Sequence, residues 1–243
     1  MDISFWTALN PNIVLLKSNR LMHRKYLYRL AINAPGSALL REETDLDDAA
    51  GKRNNNAARY NYGGSWRQKP LKVEDVELLK IIKTSYRNLQ ERVDADDIRI
   101  RIEEPGAQFY STMEEPLLRF AETIRFQDNA HFVSIMRPQS EFARKLILDG
   151  FVIRKNATEW PYRLVLRDGK YNSELKSQLA ALLKNLGDEV KVPTALASQL
   201  GKGGWIWGGY VYFKDPQLSS VFGMMDPRLI GKVEEFRAVS EEQ

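Results

Sequence analysis

The chain has no cysteine and two histidines among its 243 residues. Without cysteine it has no disulfide framework, no thiolate zinc site and no cysteine nucleophile. The histidines sit in different contexts: His23 lies in a basic stretch ahead of a strand, and His131 opens another strand. No His-x-x-x-His pair and no histidine–carboxylate cluster at metal spacing is present, so neither metal nor cofactor is expected. No apolar run approaches the roughly 20 residues that span a bilayer. The opening Met1-Asp2-Ile3-Ser4 is not followed by the basic and apolar stretches of a secretory signal. These absences point to a protein with no membrane partner in a cytoplasmic or virion-associated setting. With no known enzymatic signature in the chain, a viral or phage origin is the expectation.

What is present is a globular composition, 43% hydrophobic and 28% charged, with a formal net charge of +4. The length fits one large domain or two small ones. A pI near 9.1 makes a polyanion a reasonable partner.

Alternation and helical spacing divide the chain into elements. Lys25 to Ile32 is a strand with Tyr26, Tyr28, Leu30 and Ile32 on one face and Lys25 and Arg29 on the other. Residues 42–70 are polar and without period, and predict a long mobile loop. Val73 to Leu89 has helical spacing. Ile98-Arg99-Ile100-Arg101-Ile102 alternates strictly and turns through Glu103-Glu104-Pro105-Gly106 into a strand at Gln108–Ser111. Thr112 and Glu115 make a capping-box pattern for a helix reaching Ile124, and His131 to Met136 is again a strand. A helix follows from Ser140 to Leu148. Tyr162 to Leu166 is a strand, and Ser173 caps a leucine-striped helix ended by Gly187. Asp188–Val192 and Gly209–Phe213 are strands, with a helix toward Met225. Leu229 to Phe236 reads equally as strand or helix.

Strand-helix-strand-strand-helix-strand thus occurs twice. The fold class predicted is α+β, with tandem ferredoxin-like (βαββαβ) halves, each an antiparallel sheet with helices on one face. The first half spans 1–138 and includes the loop 42–70; a connecting helix and linker occupy 139–160; the second half spans 161–243. A single larger α+β domain is the alternative.

In that architecture the face opposite the helices is open. It would carry Lys25, Arg29, Arg99 and Arg101 in the first half and Arg163 and Arg167 in the second. Arginine forks onto phosphate and stacks on bases, so cations on several strands of one face suit a phosphate backbone. The strand Gly209-Tyr210-Val211-Tyr212-Phe213, running on to Lys214, is similar in its first part to the aromatic strand of RNA-recognition modules, in which two outward rings stack on bases. It departs from that strand at Gly208, where a basic residue would lead, and at Asp215, where the last aromatic would fall. Either Tyr210 and Tyr212 face outward or, in the opposite register, they are core. Just before it, Lys202, Trp205 and Trp207 lie among five glycines in a hairpin or loop with an aromatic tip. Lys52, Arg53, Arg59, Tyr60, Tyr62, Trp66 and Arg67 give the loop 42–70 the same basic and aromatic make-up.

Catalytic carboxylates are not evident. The first strand of each half carries none at its centre; Glu103 and Glu104 read as a solvated turn, as do Asp94, Asp96 and Asp97. The general layout, two ferredoxin-like halves with a glycine-rich loop, resembles CRISPR repeat-processing endoribonucleases. That resemblance implies a histidine as general base and would give His23 the part, although His23 precedes the first strand and the glycines lie inside the second half. The function expected is therefore a non-enzymatic protein binding single-stranded RNA or DNA. The alternatives are an assembly subunit that packs against further copies or other proteins, and then an endoribonuclease.

Overall fold

The computed structural model describes residues 3–41, 45–59, 69–92, 97–125, 129–202 and 204–239. The chain divides into two compact units, Met1–Ser140 and Glu141–Gln243. Its fold is α+β, with a five-stranded sheet in each unit.

The first unit begins with α1 (Ser4–Leu9) and β1 (Val14–Lys17), followed by β2 (Tyr28–Asn33), α2 (Leu46–Arg59) and α3 (Val73–Arg92). The hairpin β3 (Ile98–Glu103) and β4 (Gly106–Ser111), then α4 (Glu115–Thr123) and β5 (Phe132–Arg137), complete it. The sheet order is β1-β5-β2-β4-β3. Every neighbouring pair is antiparallel except β1 with β5, which is parallel, so the sheet is mixed and not purely antiparallel. In register across it, Leu30 stands beside Phe109 and Ile135, all three fully buried. Phe109 meets Phe120 of α4 at 4.2 Å and Tyr86 of α3 at 5.8 Å between ring centroids, so α3 and α4 cover this face.

Three expectations fail in this unit for physical reasons. The polar stretch read as loop is helical over Leu46–Arg59. Asp45 accepts from the Asp47 N–H at its start, acids fill its first turn, and the narrow stripe Leu46, Ala49, Ala50 is buried. Such a short apolar stripe falls below any sequence periodicity. The expected aromatic residues Tyr60, Tyr62 and Trp66, with Arg67, lie outside the described residues, as do Asp94 and Asp96. Likewise, Thr112 does not cap α4. Glu114 holds the cap position without a side-chain cap, and its carboxylate instead accepts from Trp6 Nε1 at 3.1 Å and pairs with Arg137 at 3.3 Å.

Glu104 is no solvated turn either. It accepts from the Gly36 and Ala38 N–H groups, the Ser37 hydroxyl and Arg53, tying the β3–β4 turn to the segment after β2. Burial alone would raise its pKa, but the two backbone donors and Arg53 hold it below its ordinary value of 4.5. The contribution is thus present above that value and is lost as pH falls through the lower folded one. Glu104→Ala is expected to cost about 1–2 kcal/mol near neutral pH, since the group is partly exposed. The loss should shrink in acid, which denaturant unfolding at two pH values checks.

The second unit runs α5 (Glu141–Leu148), β6 (Val152–Arg154), β7 (Tyr162–Leu166), β8 (Gly169–Tyr171) and α6 (Ser173–Leu186). It continues with β9 (Val190–Lys191), α7 (Thr194–Leu200), β10 (Gly204–Ile206), β11 (Tyr210–Phe213), α8 (Leu218–Met225) and β12 (Ile230–Ala238). Its sheet order is β6-β12-β7-β11-β9, with β6 parallel to β12 and the other pairs antiparallel, so it too is mixed. The stretch 139–160, expected as connector, supplies α5 and the edge strand β6. Asn172, not Ser173, caps α6, accepting from the Leu175 N–H. Leu164, Val211, Phe213, Leu179 and Phe222 form the core.

Candidate functional site

In the first unit, the isoleucines of β3 turn inward and Arg99, Arg101 and Glu103 are exposed on the opposite face. The β4 register sets Tyr110 beside Arg99 and Gln108 beside Arg101; across β4, Arg29 of β2 also neighbours Tyr110. Side chains link along this face. Arg101 pairs with Glu103 at 2.6 Å, Gln108 donates to Glu103 at 2.7 Å, and Tyr110 donates to Gln108 at 2.5 Å. Arg99 has no ion-pair partner among the described residues. The Nε of half-buried Arg29 is buried without a hydrogen-bond partner among them. Lys25 is not in the strand but in the turn before it, 3.8 Å from Asp97.

That turn also brings His23 to the face. Its ring meets Tyr110 edge-on at 4.7 Å and Tyr26 at 6.5 Å. His23 is exposed, yet desolvation by its neighbours, then the charges of Arg99 and Arg101, hold the imidazole below its ordinary pKa of 6.5. No local pattern in the sequence joins His23 to the arginines. The register that joins them through Tyr110 and Gln108 is a tertiary fact with no local signal. His131, by contrast, is buried at the start of β5.

In the second unit, Val211 and Phe213 are fully buried, which settles the register: Tyr210 and Tyr212 lie on the face away from the core. They are not bare. Arg163 donates to Glu234 from Nε at 2.7 Å and again from its terminal nitrogen, and its guanidinium lies 5.6 Å from the Tyr210 ring and 5.3 Å from Phe236. Arg154 stacks 3.7 Å over Phe236 and 5.6 Å from Tyr212. Burial would raise the Glu234 pKa, yet Lys232 and Arg163 hold it below the ordinary value. Arg163 is thus engaged within its own sheet. Arg167 donates to the Ile230 carbonyl at 3.3 Å, and Lys214 sits 3.4 Å from Glu159 and 4.9 Å over the Trp160 ring.

No family, curated protein or solved structure matches the chain.

The glycine-rich segment is a built ribbon. β10 pairs antiparallel with β8, placing Trp205 beside Lys170, while Ile206 between the tryptophans is fully buried. Trp205 and Trp207 stack on each other at 4.8 Å with planes 10° apart, and are 51% and 59% exposed. Gln199 grips the backbone of Trp207 through its side-chain amide, donating to the Trp207 carbonyl and accepting from its N–H, and Asp168 accepts from the Gly208 N–H. Gly208 needs its glycine, with φ of 58°. The buried Lys176 ammonium donates to the carbonyls of Gln199 and Lys202, fixing the end of α7 beneath the ribbon; the Lys202 side chain is exposed. None of these clamps carries a sequence signature.

Among the described residues no three or more His, Cys, Asp or Glu are grouped to hold a metal ion. No helix among them is long and apolar enough to cross a membrane.

Proposed function

We propose that this is a non-enzymatic protein that binds single-stranded nucleic acid, built from two ferredoxin-like halves. The fold reading is supported by strand order. Numbering the last four strands of each sheet in chain order, with β8 and β10 set aside as the separate ribbon, gives fourth-first-third-second in both units, and each adds an edge strand parallel to the fourth. The functional reading rests on one observation: Arg99 and Arg101 project exposed from the first sheet beside Tyr110 and His23. Exposed cations beside the exposed His23 ring suit a phosphate backbone, while Tyr110, itself buried, supports that ring from within the sheet. The Trp205–Trp207 pair beside Lys170 offers a second aromatic surface. The face of the second sheet supports the reading less, because Arg163 and Arg154 are already engaged there.

Fluorescence anisotropy with labelled single-stranded RNA, single-stranded DNA and duplex, each over a salt series, tests this. Strand-selective binding with a steep salt slope is expected. Arg99→Glu with Arg101→Glu should weaken it and lower the slope by about 1.4, the share of two phosphate contacts on a single strand. The fold should persist, since an exposed pair such as Arg101–Glu103 contributes little. Unchanged affinity in the double variant would sink the sheet-face reading.

The exposed tryptophan pair favours a second reading, an assembly subunit. It would be chosen if no strand binds at low salt and a concentration-dependent oligomer disappears in Trp207→Ala. Strand shortening that vanishes in His23→Ala would instead make the activity endonucleolytic.

A further inference from the structure

The turn leading into β2 is built against local preference. The Met22 carbonyl accepts from the Lys25 N–H at 3.1 Å and from the Tyr26 N–H at 2.9 Å, while the Met22 N–H donates to the Tyr26 carbonyl at 2.7 Å. The two apex residues, His23 and Arg24, have φ of 49° and 63°. Such consecutive left-handed residues belong to tight turns that ordinarily take asparagine or glycine, and a side chain with a Cβ is strained at each. Closing this turn needs neither an imidazole nor a guanidinium; glycine would close it with less strain. Strain of this kind is retained where a side chain must be aimed. Here the aim is plain: the His23 ring is set edge-on against Tyr110, on the face where Arg99 and Arg101 are exposed.

The groups around His23 are Arg99 and Arg101 from β3, Tyr110 from β4, and Arg24, Lys25 and Tyr26 from its own turn, with Arg29 of β2 neighbouring Tyr110 in register. Glu103 pairs with Arg101, and Asp97 lies near Lys25, whereas Arg99 has no ion-pair partner among the described residues. Without a ligand, a protonated imidazole would add another cation to this group.

We propose that the His23 turn and the two β3 arginines seat one phosphate of a bound strand, and that His23 takes up a proton as the phosphate enters. This deepens the nucleic-acid reading above and rests on it. The proton comes from solvent and adds to the free ring nitrogen; no bond to phosphorus forms or breaks. Neutral imidazole has one N–H and one acceptor, whereas imidazolium has two donors, so the protonated ring is the form that complements a phosphate oxygen. Free His23 is held below its ordinary pKa by desolvation and then by Arg99 and Arg101, and an anion between it and the arginines offsets their charge and favours the protonated ring. Binding and protonation therefore assist each other. Between the free and bound titration midpoints, each unit fall in pH should tighten binding by up to about tenfold.

The chain contains only two histidines, His23 and His131, so proton NMR of the imidazole signals can follow both, with His23→Gln assigning them. The protein is titrated from about pH 8 to about pH 5.5 alone, with a short single-stranded oligonucleotide, and with inorganic phosphate. The oligonucleotide should raise the His23 midpoint by about one unit and leave that of His131 in place. Affinity should rise toward acid more steeply for the wild type than for His23→Gln, which still binds at the alkaline end. The double variant His23→Gly with Arg24→Gly should melt a few degrees higher while losing the His23-dependent tightening; a lower melting temperature would overturn the claim of strain. Binding that depends on Arg99 and Arg101 but leaves the His23 midpoint unmoved overturns the seat and keeps the nucleic-acid reading. No oligonucleotide binding at any pH overturns both. A midpoint moved equally by inorganic phosphate assigns the seat to any phosphate and overturns its link to a strand.

Discussion

Trp6→Ala is expected to destabilise the first unit by about 3–5 kcal/mol, the range for removing a fully buried large aromatic side chain. Trp6 is inaccessible to solvent although it sits in a helix of only six residues. Its indole N–H reaches Glu114 at the start of α4, and the same carboxylate pairs with Arg137 at the end of β5. One side chain thereby joins α1, α4 and the sheet, and no short helix could hold its own shape without such docking. Trp6→Phe keeps most of the bulk and gives up the hydrogen bond, so its cost should be nearer 1 kcal/mol. Denaturant unfolding compares the two. If the alanine variant unfolds within about 1 kcal/mol of wild type, the indole is not fixed in the core as described.

In the second unit, Glu234→Ala should cost about 2–4 kcal/mol. The carboxylate is buried on β12, accepts from both Arg163 and Lys232, and faces rings rather than water. Its removal strands the Arg163 guanidinium between Tyr210 and Phe236 with no counter-charge, and that stranded cation is the main source of the loss. Glu234→Gln preserves the shape and one acceptor, and should lose less. Because the folded-state pKa of Glu234 is lowered, the pair contributes fully above the ordinary glutamate value of 4.5 and fades as pH falls through the folded value. Unfolding of wild type and variant at neutral and acidic pH should show two curves that converge in acid. Parallel curves would mean that the pair contributes through packing rather than charge.

Much of the fold was legible where the pattern was strong. The Ile/Arg alternation of β3, the spacing of α3 and the leucine stripe of α6 each fix an inward face over many residues. What could not be read lies in short or tertiary-dependent pieces. The helices α1 and α7 run to six and seven residues, too few for a period to emerge. β1 and β6 have four and three residues, and each is a strand only because a neighbour pairs with it. The site follows the same division. Local alternation sets which way Arg99 and Arg101 point. The β4 register and a left-handed turn bring Tyr110 and His23 beside them. The availability of Arg163 was decided by a residue 71 positions away, beyond any local pattern.

The spacing of the two indoles limits what can join them. A flat ring sliding between them would need roughly 7 Å, two layers of aromatic contact, and they stand 4.8 Å apart on a backbone clamped by Gln199 and Asp168. The pair is therefore closed as a slot and open as a stack. If a strand binds here as proposed, its bases would lie on the outside of the pair as a further layer and would not enter between the indoles.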